Sequence, residues 1–536
     1  MPLPTPNQVW PPAALANIRP KLEEWDAWYQ GDPGVLTSVY QSRTGTSGQT
    51  VRPSQLAGGV VGAAARFWWG RPQVDLTQPR RAQIHLPIPT DLARVSADLL
   101  YSEPPRLGVG DEAERSDKSV TQDRLLEYVD DGFHDVLATG AEVGAALGGR
   151  FHRVTWDADL LKRPFLSTVD ADAAWPEFRW GRLVAVTFWH VVADDGRTVR
   201  RHLERHELDG QGIGITLHGL YEGTKDNLGR LMALADDPVT APLARLVDSD
   251  GAVVAGRTPG LAVAYIPNQT PNRSWRKNPV GKHLGRSDFD QCEPFFDAAD
   301  EAYSSLMRDI RLAKARLIVP ESMLDTLGPG RGASFNLDKE VYEGVRMPPL
   351  EDGSGQKLIT AQQFDIRVEE HLRVIDDQVQ RIISTAGYSS QTLSDGVEGG
   401  GTMTATEVHS RERRSYLTRD RKIRHERPAL LHLVGKMLTI DTAVFATSGL
   451  NDEGLRATFA DTVQDSVLAL ASTAQQLKAA QAASIETRVQ MVHPDWTPEQ
   501  VAAERDLILQ QEAPPLADPF AIGQRDPEEP DPDDEG

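Results

Sequence analysis

Two stretches of heptad-like apolar spacing, separated by a segment that cannot be helical, constrain this chain more than any other feature. In the first, Phe296, Ala299, Tyr303, Leu306, Ile310, Ala313 and Leu317 recur at intervals of 3, 4, 3, 4, 3 and 4. That spacing puts all of them on one narrow helical seam. In the second, Val368, Leu372, Ile375, Val379 and Ile382 recur at 4, 3, 4 and 3. Between the two lie Gly328-Pro-Gly330, Pro348-Pro349 and Asp352-Gly-Ser-Gly355, which break helical continuity. The pattern predicts a first helix about 33–45 Å long ended by Pro320, with Pro294 in its first turn or at a kink. A compact loop-and-strand insert and a second helix follow. Such seams suit long helices packed side by side, and equally the core helices of a single domain.

The chain before the seams mixes helix and strand. Residues 21–29 read as a short helix stopped by Gly31-Asp-Pro33. Thr90 is placed as an N-cap for a helix bearing Leu92, Val95, Leu99 and Leu100, stopped by Pro104-Pro105. A helix over about 132–147 ends at Gly148-Gly149 and leads into a strand at 150–156. Residues 150–270 are strand-rich. Strands are expected at 183–192, at 198–207 after the Asp194-Asp-Gly196 turn, at 213–220 and at 261–266. After the seams, Thr404-Ala-Thr-Glu407 is a capping box opening a long polar helix that Pro428 kinks or interrupts. Further helices are expected over about 463–486 and from Thr497 to about 511. The end, 526–535, is acidic and proline-broken and reads as a disordered tail. The fold class is α+β.

Length points to several domains. The formal net charge of −21 argues against nonspecific grip on nucleic acid, which needs phosphates neutralised by Lys and Arg. It is compatible with a surface along which DNA slides. The single cysteine, Cys292, rules out a disulfide framework and is read as a small buried hydrophobe. No apolar run approaches the length of a membrane span. The opening MPLPTPNQVW lacks the basic leader and apolar core of a signal peptide, so a cytosol-like compartment is expected.

Catalytic patterns are missing or weak, and no cofactor, metal or catalytic residue is assigned. There is no phosphate-binding P-loop and no nucleophile elbow. His202-Leu-Glu-Arg-His206 has Leu203 where a zinc protease needs Glu, and it reads as strand. Gly210-Gln-Gly-Ile-Gly214 is a loop. The adjacent pairs Asp130-Asp131 and Asp376-Asp377 would point apart on a helix. The basic run Arg411, Arg413, Arg414, Arg419, Arg421, Lys422, Arg424 and Arg427 has two readings. It is either a phosphate-facing helix or a solvated face paired with Glu407, Glu412, Asp420 and Glu426 or with a neighbouring chain. The interleaving of signs favours the second.

Several segments together resemble the portal proteins of tailed bacteriophages, of the siphophage and actinobacteriophage type. They are Leu86–Pro105, Gly140–Gly149 running into Trp156-Asp157, Phe296–Glu321 and Gly399–Val408. Their order along the chain is the specific signal. The resemblance implies a wing (1–286, N-terminal helices and a β-rich part), a first stem helix (287–318), a clip (319–365) and a second stem helix (366–388). A tunnel-loop region with a long wing helix (389–445), a helical crown (446–512) and an acidic tail (513–536) complete it. It implies a homo-oligomeric, dodecameric ring at one capsid vertex of the virion, assembled in the host cytoplasm. Double-stranded DNA would pass through it. The terminase large subunit, a head-completion or adaptor protein and the major capsid or scaffolding protein would dock on it. On this basis Gly399, Gly400, Gly401, Thr402, Arg308, Arg311 and Lys314 are candidates for the DNA channel. Phe296, Tyr303, Leu306, Ile310, Leu317, Leu372, Ile375 and Val379 are candidates for contacts between subunits. No enzymatic role and no membrane are implied. The alternatives are a metal-dependent nuclease of the packaging apparatus or a capsid-associated scaffold that forms no ring.

Overall fold

The computed structural model describes residues 3–44, 84–110, 119–248, 251–253, 258–312, 316–318, 325–326, 333–334, 360–362, 367–389, 405–459, 467–493, 496 and 498–512. The chain divides into two compact units. One comprises Met1–Gly401 with Ser410–Ala460, the other Thr402–His409 with Asp461–Gly536.

In the larger unit the first α-helices, after an N-terminal arm, are α1 (Arg19–Gln30) and α2 (Pro33–Thr44). Gly31 between them sits at φ 65°, the left-handed position that ends helices. Next comes α3 (Ile88–Tyr101). Its N-cap is Pro87, with Pro89 in the first turn. Thr90 therefore lies inside the helix, and its hydroxyl donates to the carbonyl of Tyr29 (2.9 Å). The threonine ties two helices together rather than capping one. Strand β1 (Arg106–Gly108), α4 (Val120–Asp130) and α5 (Phe133–Leu147) follow.

Helix α5 carries a stripe of small residues, Gly140, Ala141, Gly144 and Ala145, all of them buried. It lies against β2 (Gly149–Thr155) and β3 (Phe165–Asp170). A Cβ on Gly140 would come within 2.9 Å of both His152 and Thr168, so the close helix–sheet approach requires glycine there. Strands β2 and β3 form a three-stranded antiparallel sheet with β10 (Val263–Pro267), β2 in the middle.

The larger sheet is an antiparallel meander of β4 (Ala174–Arg179), β5 (Arg182–Asp194), β6 (Val199–Leu208), β7 (Gly214–Thr224) and β8 (Asn227–Met232). Strand β9 (Ala252–Val253) adds to β7. The expected turn at Asp194-Asp-Gly196 is present, with the Asp195 carboxylate accepting from the Arg197 and Thr198 amides. Edge strand β8 is covered by the N-terminal arm. Asn7 N–H donates to the Gly229 carbonyl (2.6 Å) and Leu228 N–H to that of Gln8 (2.9 Å), which blunts an edge otherwise open to pairing.

Helix α6 (Glu293–Leu312) and helix α7 (Val368–Ala386) are the two seamed helices. Pro294 falls in the first turn of α6, the position that tolerates it. Helix α6 stops at Leu312, short of Pro320. Leu317 lies in β11 (Arg316–Ile318), opposite Ala361 of β14 (Thr360–Gln362). Strands β12 (Asp325–Thr326) and β13 (Ala333–Ser334) pair within the insert. The helices are thus closed off by a non-local ladder that takes the last turn of the expected seam.

Helix α8 (Ala405–Val444) runs 40 residues, and Pro428 lies inside it without ending it. Its far half packs Leu430, Leu433, Val434, Met437 and Ile440 against α3, α4 and α5 residues such as Tyr101, Leu125 and Leu137. Strand β15 (Arg456–Thr458) returns to pair with β1. The smaller unit holds α9 (Val467–Ala479), α10 (Ile485–Val492) and α11 (Pro498–Glu512). The single helix expected over 463–486 ends at Ala479, near Gln481, which adopts φ 51°. Ser484 then caps α10 by accepting from the Thr487 amide (3.2 Å). Thr404, Thr497, the tail 513–536 and the glycine and proline clusters of the insert lie outside the described residues.

Candidate functional site

The most distinctive arrangement is the α6–α7 pair and the way it is rooted. The two helices pack against each other at the end of the larger unit's aromatic core. At the root, Phe296 meets Trp28 (ring centroids 5.4 Å) and Phe289 (5.6 Å), and Ile382, Ile383 and Ala386 close the same cluster. The surrounding helices α1 and α2 therefore hold the base of the pair, while its far end carries exposed apolar side chains.

Buried polar groups fix that base. Asp300 of α6 accepts from the Tyr40 hydroxyl (2.6 Å) and the Leu86 amide (2.8 Å) and contacts His85 Nδ1 (2.9 Å). Glu293 accepts from Trp25 Nε1 (2.8 Å) and pairs with Lys21 (2.5 Å). Just below α6, Asp288 accepts from Tyr388 (2.7 Å), Asn268 (2.8 Å) and Lys422 Nζ (2.9 Å). Lys422 also donates to Ser96 Oγ and Tyr388. Burial opposes the Asp288 charge, but Lys422 and the hydroxyl and amide donors outweigh it, so its carboxyl is held below the usual range. One helical turn further along α8, Glu426 accepts from Arg150 (2.7 Å) and Tyr101 (2.9 Å). Against the cost of burial, Glu426 and Tyr101 raise the Arg150 pKa. Burial and Arg150 together hold the adjacent His152 well below the ordinary histidine value.

These contacts change the reading of the basic run. Arg419, Lys422 and Glu426 are buried, and Arg419 donates to the Leu99 carbonyl (2.6 Å). One side of α8 is neither a phosphate-facing surface nor a solvated one. It is an internal strut that ties the base of α7, through Tyr388, to α3 and β2. The sequence pattern hid this because interleaved charges look the same on a solvated face. The one readable signal is that Lys422, Glu426, Leu430 and Leu433 share one helical stripe.

The candidate residues separate by depth. Phe296, Leu306 and Ile375 are buried inside the subunit, where their surface is covered largely by their own chain. Tyr303 and Val379 are half-buried. Ile310 and Leu372 are exposed, joined by Val368 and Val374. Leu317 belongs to β11, and its side chain lies outside the described residues, as do the Arg311 side chain and all of Lys314, Gly399, Gly400, Gly401 and Thr402. Arg308 is exposed on α6. Across the helix pair, Asp309 contacts His371 (3.1 Å) and Arg367 (3.7 Å). Asp377 is paired with Arg381 (2.8 Å), and Asp131 with Arg163. Cys292 is buried against carbonyls of α7 and of Asp288, and burial raises its thiol pKa.

The histidines of β6 sit in a row that crosses the larger sheet. His202 meets His218 (3.1 Å, rings stacked) and lies beside His190. His206 bonds Glu204 (2.6 Å), which also takes Arg153. No cluster of three His, Cys, Asp or Glu side chains able to hold a metal occurs among the described residues. Burial, with the neighbouring histidine and arginine charges, pushes His202 and His218 down to about 4. Unfolded histidines titrate near 6.5, so the unfolded chain binds more protons between those values. The stability gained from keeping the two rings neutral is complete above pH 6.5 and erodes as pH falls toward 4. Thermal melts from pH 7.5 to 4 are expected to show this slope. Replacing both residues, His202→Gln with His218→Gln, is expected to flatten it.

Residues 263–514, a little under half of the chain, match the family model described as phage portal protein, SPP1 Gp6-like. This segment runs from β10 through both seamed helices and α8 to the end of α11. Over it, the resemblance to phage portal proteins read from the sequence is borne out, and the chain carries a portal-family segment. No curated protein matches the sequence. Among solved structures, the neck of a native gene transfer agent particle computed with C12 symmetry is similar at 12% identity and a TM-score of 0.36, covering 76% of this chain and 90% of that one. The virion of a native gene transfer agent particle is similar at 12% identity and a TM-score of 0.34, covering 76% and 89%.

Proposed function

We propose that this chain is the subunit of a portal ring in a phage-like particle, the passage for double-stranded DNA during packaging and ejection. The observation that carries this is the portal-family match over 263–514, which contains the α6–α7 pair entire. In this reading residues 1–286 are the wing, α6 and α7 lie in the stem segments 287–318 and 366–388, and 319–365 are the clip. Residues 389–445 are the tunnel-loop region and the long wing helix, 446–512 are the crown, and the tail follows. The terminase large subunit, the adaptor and the capsid or scaffolding protein dock on this frame. Helices α6 and α7 carry nine acids against four arginines. A lining drawn from them holds phosphates weakly, as a sliding contact requires.

The exposed apolar residues at the far end of the pair, Ile310, Val368, Leu372 and Val374, then contact the neighbouring subunit. Negative-stain images of the purified full chain test the reading. End-on rings with a central hole are expected, with a mass near twelve times the 58.9 kDa subunit. Particles carrying no copy of the chain at a vertex, or metal-dependent DNA cleavage by the pure protein, would overturn it.

A further inference from the structure

The turn joining β4 to β5 consists of two residues, Trp180 and Gly181, with φ of 52° and 78°. Both central residues of such a hairpin turn occupy the left-handed region, where Asn-Gly is the favoured pair. Tryptophan there is strained, because its Cβ crowds the backbone. The same side chain is 97% exposed. The chain thus places its most water-exposed large apolar group, among the described residues, on a backbone position that disfavours it. Among the described residues, no contact of the Trp180 side chain compensates for either cost. Strain that persists without local compensation points to a contact made elsewhere.

Its surroundings indicate what that contact is. Arg179 and Arg182 flank the turn, both exposed, and neither has an ion pair among the described residues. Behind the tip is an open groove of about 600 Å³ running to α8, lined by Trp180, Arg182, Tyr265, Pro267, His425 and Pro428 among others, with no carboxylate in its walls. Tryptophan and arginine are the side chains that most often anchor protein interfaces. A groove with no acid among its lining residues and Arg182 in its wall, beside the exposed Arg179, fits an acidic partner. The chain itself is one, at −21.

We infer that the Arg179–Arg182 hairpin tip is an interface anchor for a second copy of this chain, with the Trp180 indole seated on the neighbour and the two arginines meeting its carboxylates. This rests on the oligomeric reading given above and names a contact in the β-rich part that the helix pair does not supply.

The test is Trp180→Asn in the full chain, which restores the favoured Asn-Gly turn and so is not expected to impair folding. The melting temperature of the dilute subunit is expected to hold or rise. Association followed by light scattering is expected to weaken at least tenfold. A photoreactive benzophenone amino acid at position 180 is expected to cross-link chain to chain, at twice the subunit mass. If wild type forms rings and Trp180→Asn forms them at the same concentration, this inference fails and the ring reading stands. Cross-linking from position 180 to added duplex DNA in place of the chain also overturns it. If the wild-type chain forms no oligomer at any concentration and none is found in particles, the ring reading fails and takes this one with it.

Discussion

Lys422→Met is expected to destabilise the subunit by about 3–5 kcal/mol, the range for removing one partner of a buried ion pair. The ammonium of Lys422 holds three groups at once, Asp288, Tyr388 and Ser96, and both members of the ion pair are almost wholly buried. Without it the Asp288 carboxylate keeps its Asn268, Gln269 and Tyr388 donors but loses its counter-ion in a low-dielectric site. Protonating Asp288 then becomes the cheaper state. In the native subunit Asp288 titrates below its unfolded value of 3.8. Its contribution is complete above that value and disappears as pH falls through the folded one. In Lys422→Met this acid-side loss should vanish or reverse. Denaturant unfolding of Lys422→Met, Asp288→Asn and the double variant measures the coupling. The double variant is expected to recover part of the loss. Additive effects of the two single changes would show that the pair does not act as a unit.

What was legible in the sequence was local. The seams of α6 and α7, the left-handed stops at Gly31 and Gly148 and the Asp194-Asp-Gly196 hairpin all follow from rules that act within one or two turns of chain. The misreadings came from partners far away in sequence. Leu317 continues the α6 seam perfectly, yet it lies opposite Ala361 in a ladder that no periodicity in either segment announces. Thr90 has the chemistry of a cap, but its hydroxyl serves Tyr29, more than sixty residues earlier. Arg419, Lys422 and Glu426 read as solvent-facing because charge pattern alone carries no depth. Only the placement of Asp288, Arg150 and the Leu99 carbonyl around α8 makes them internal. The candidate site was legible as a pair of helices and illegible as to which side of each seam is already taken.

That last distinction predicts opposite behaviour for two residues of the same seam pattern. Phe296→Ala is expected to cost about 3–5 kcal/mol of subunit stability. The ring is 1% exposed and packs on Trp28 and Phe289, so its removal leaves a cavity at the root of α6 that α1 and α2 cannot fill. Leu372→Asp sits at the exposed end of α7, 46% accessible, and is expected to change the stability of the isolated subunit by no more than about 0.5 kcal/mol. In a ring, however, that carboxylate would have to be desolvated against a neighbour's apolar side chains, which disfavours assembly strongly. Chemical denaturation of the dilute subunit and sedimentation of the concentrated one separate the two effects. If Leu372→Asp assembles like wild type while Phe296→Ala, still folded, does not, the far end of the helix pair is no interface. The contacts between copies would then have to be sought at the root or on the β-rich part.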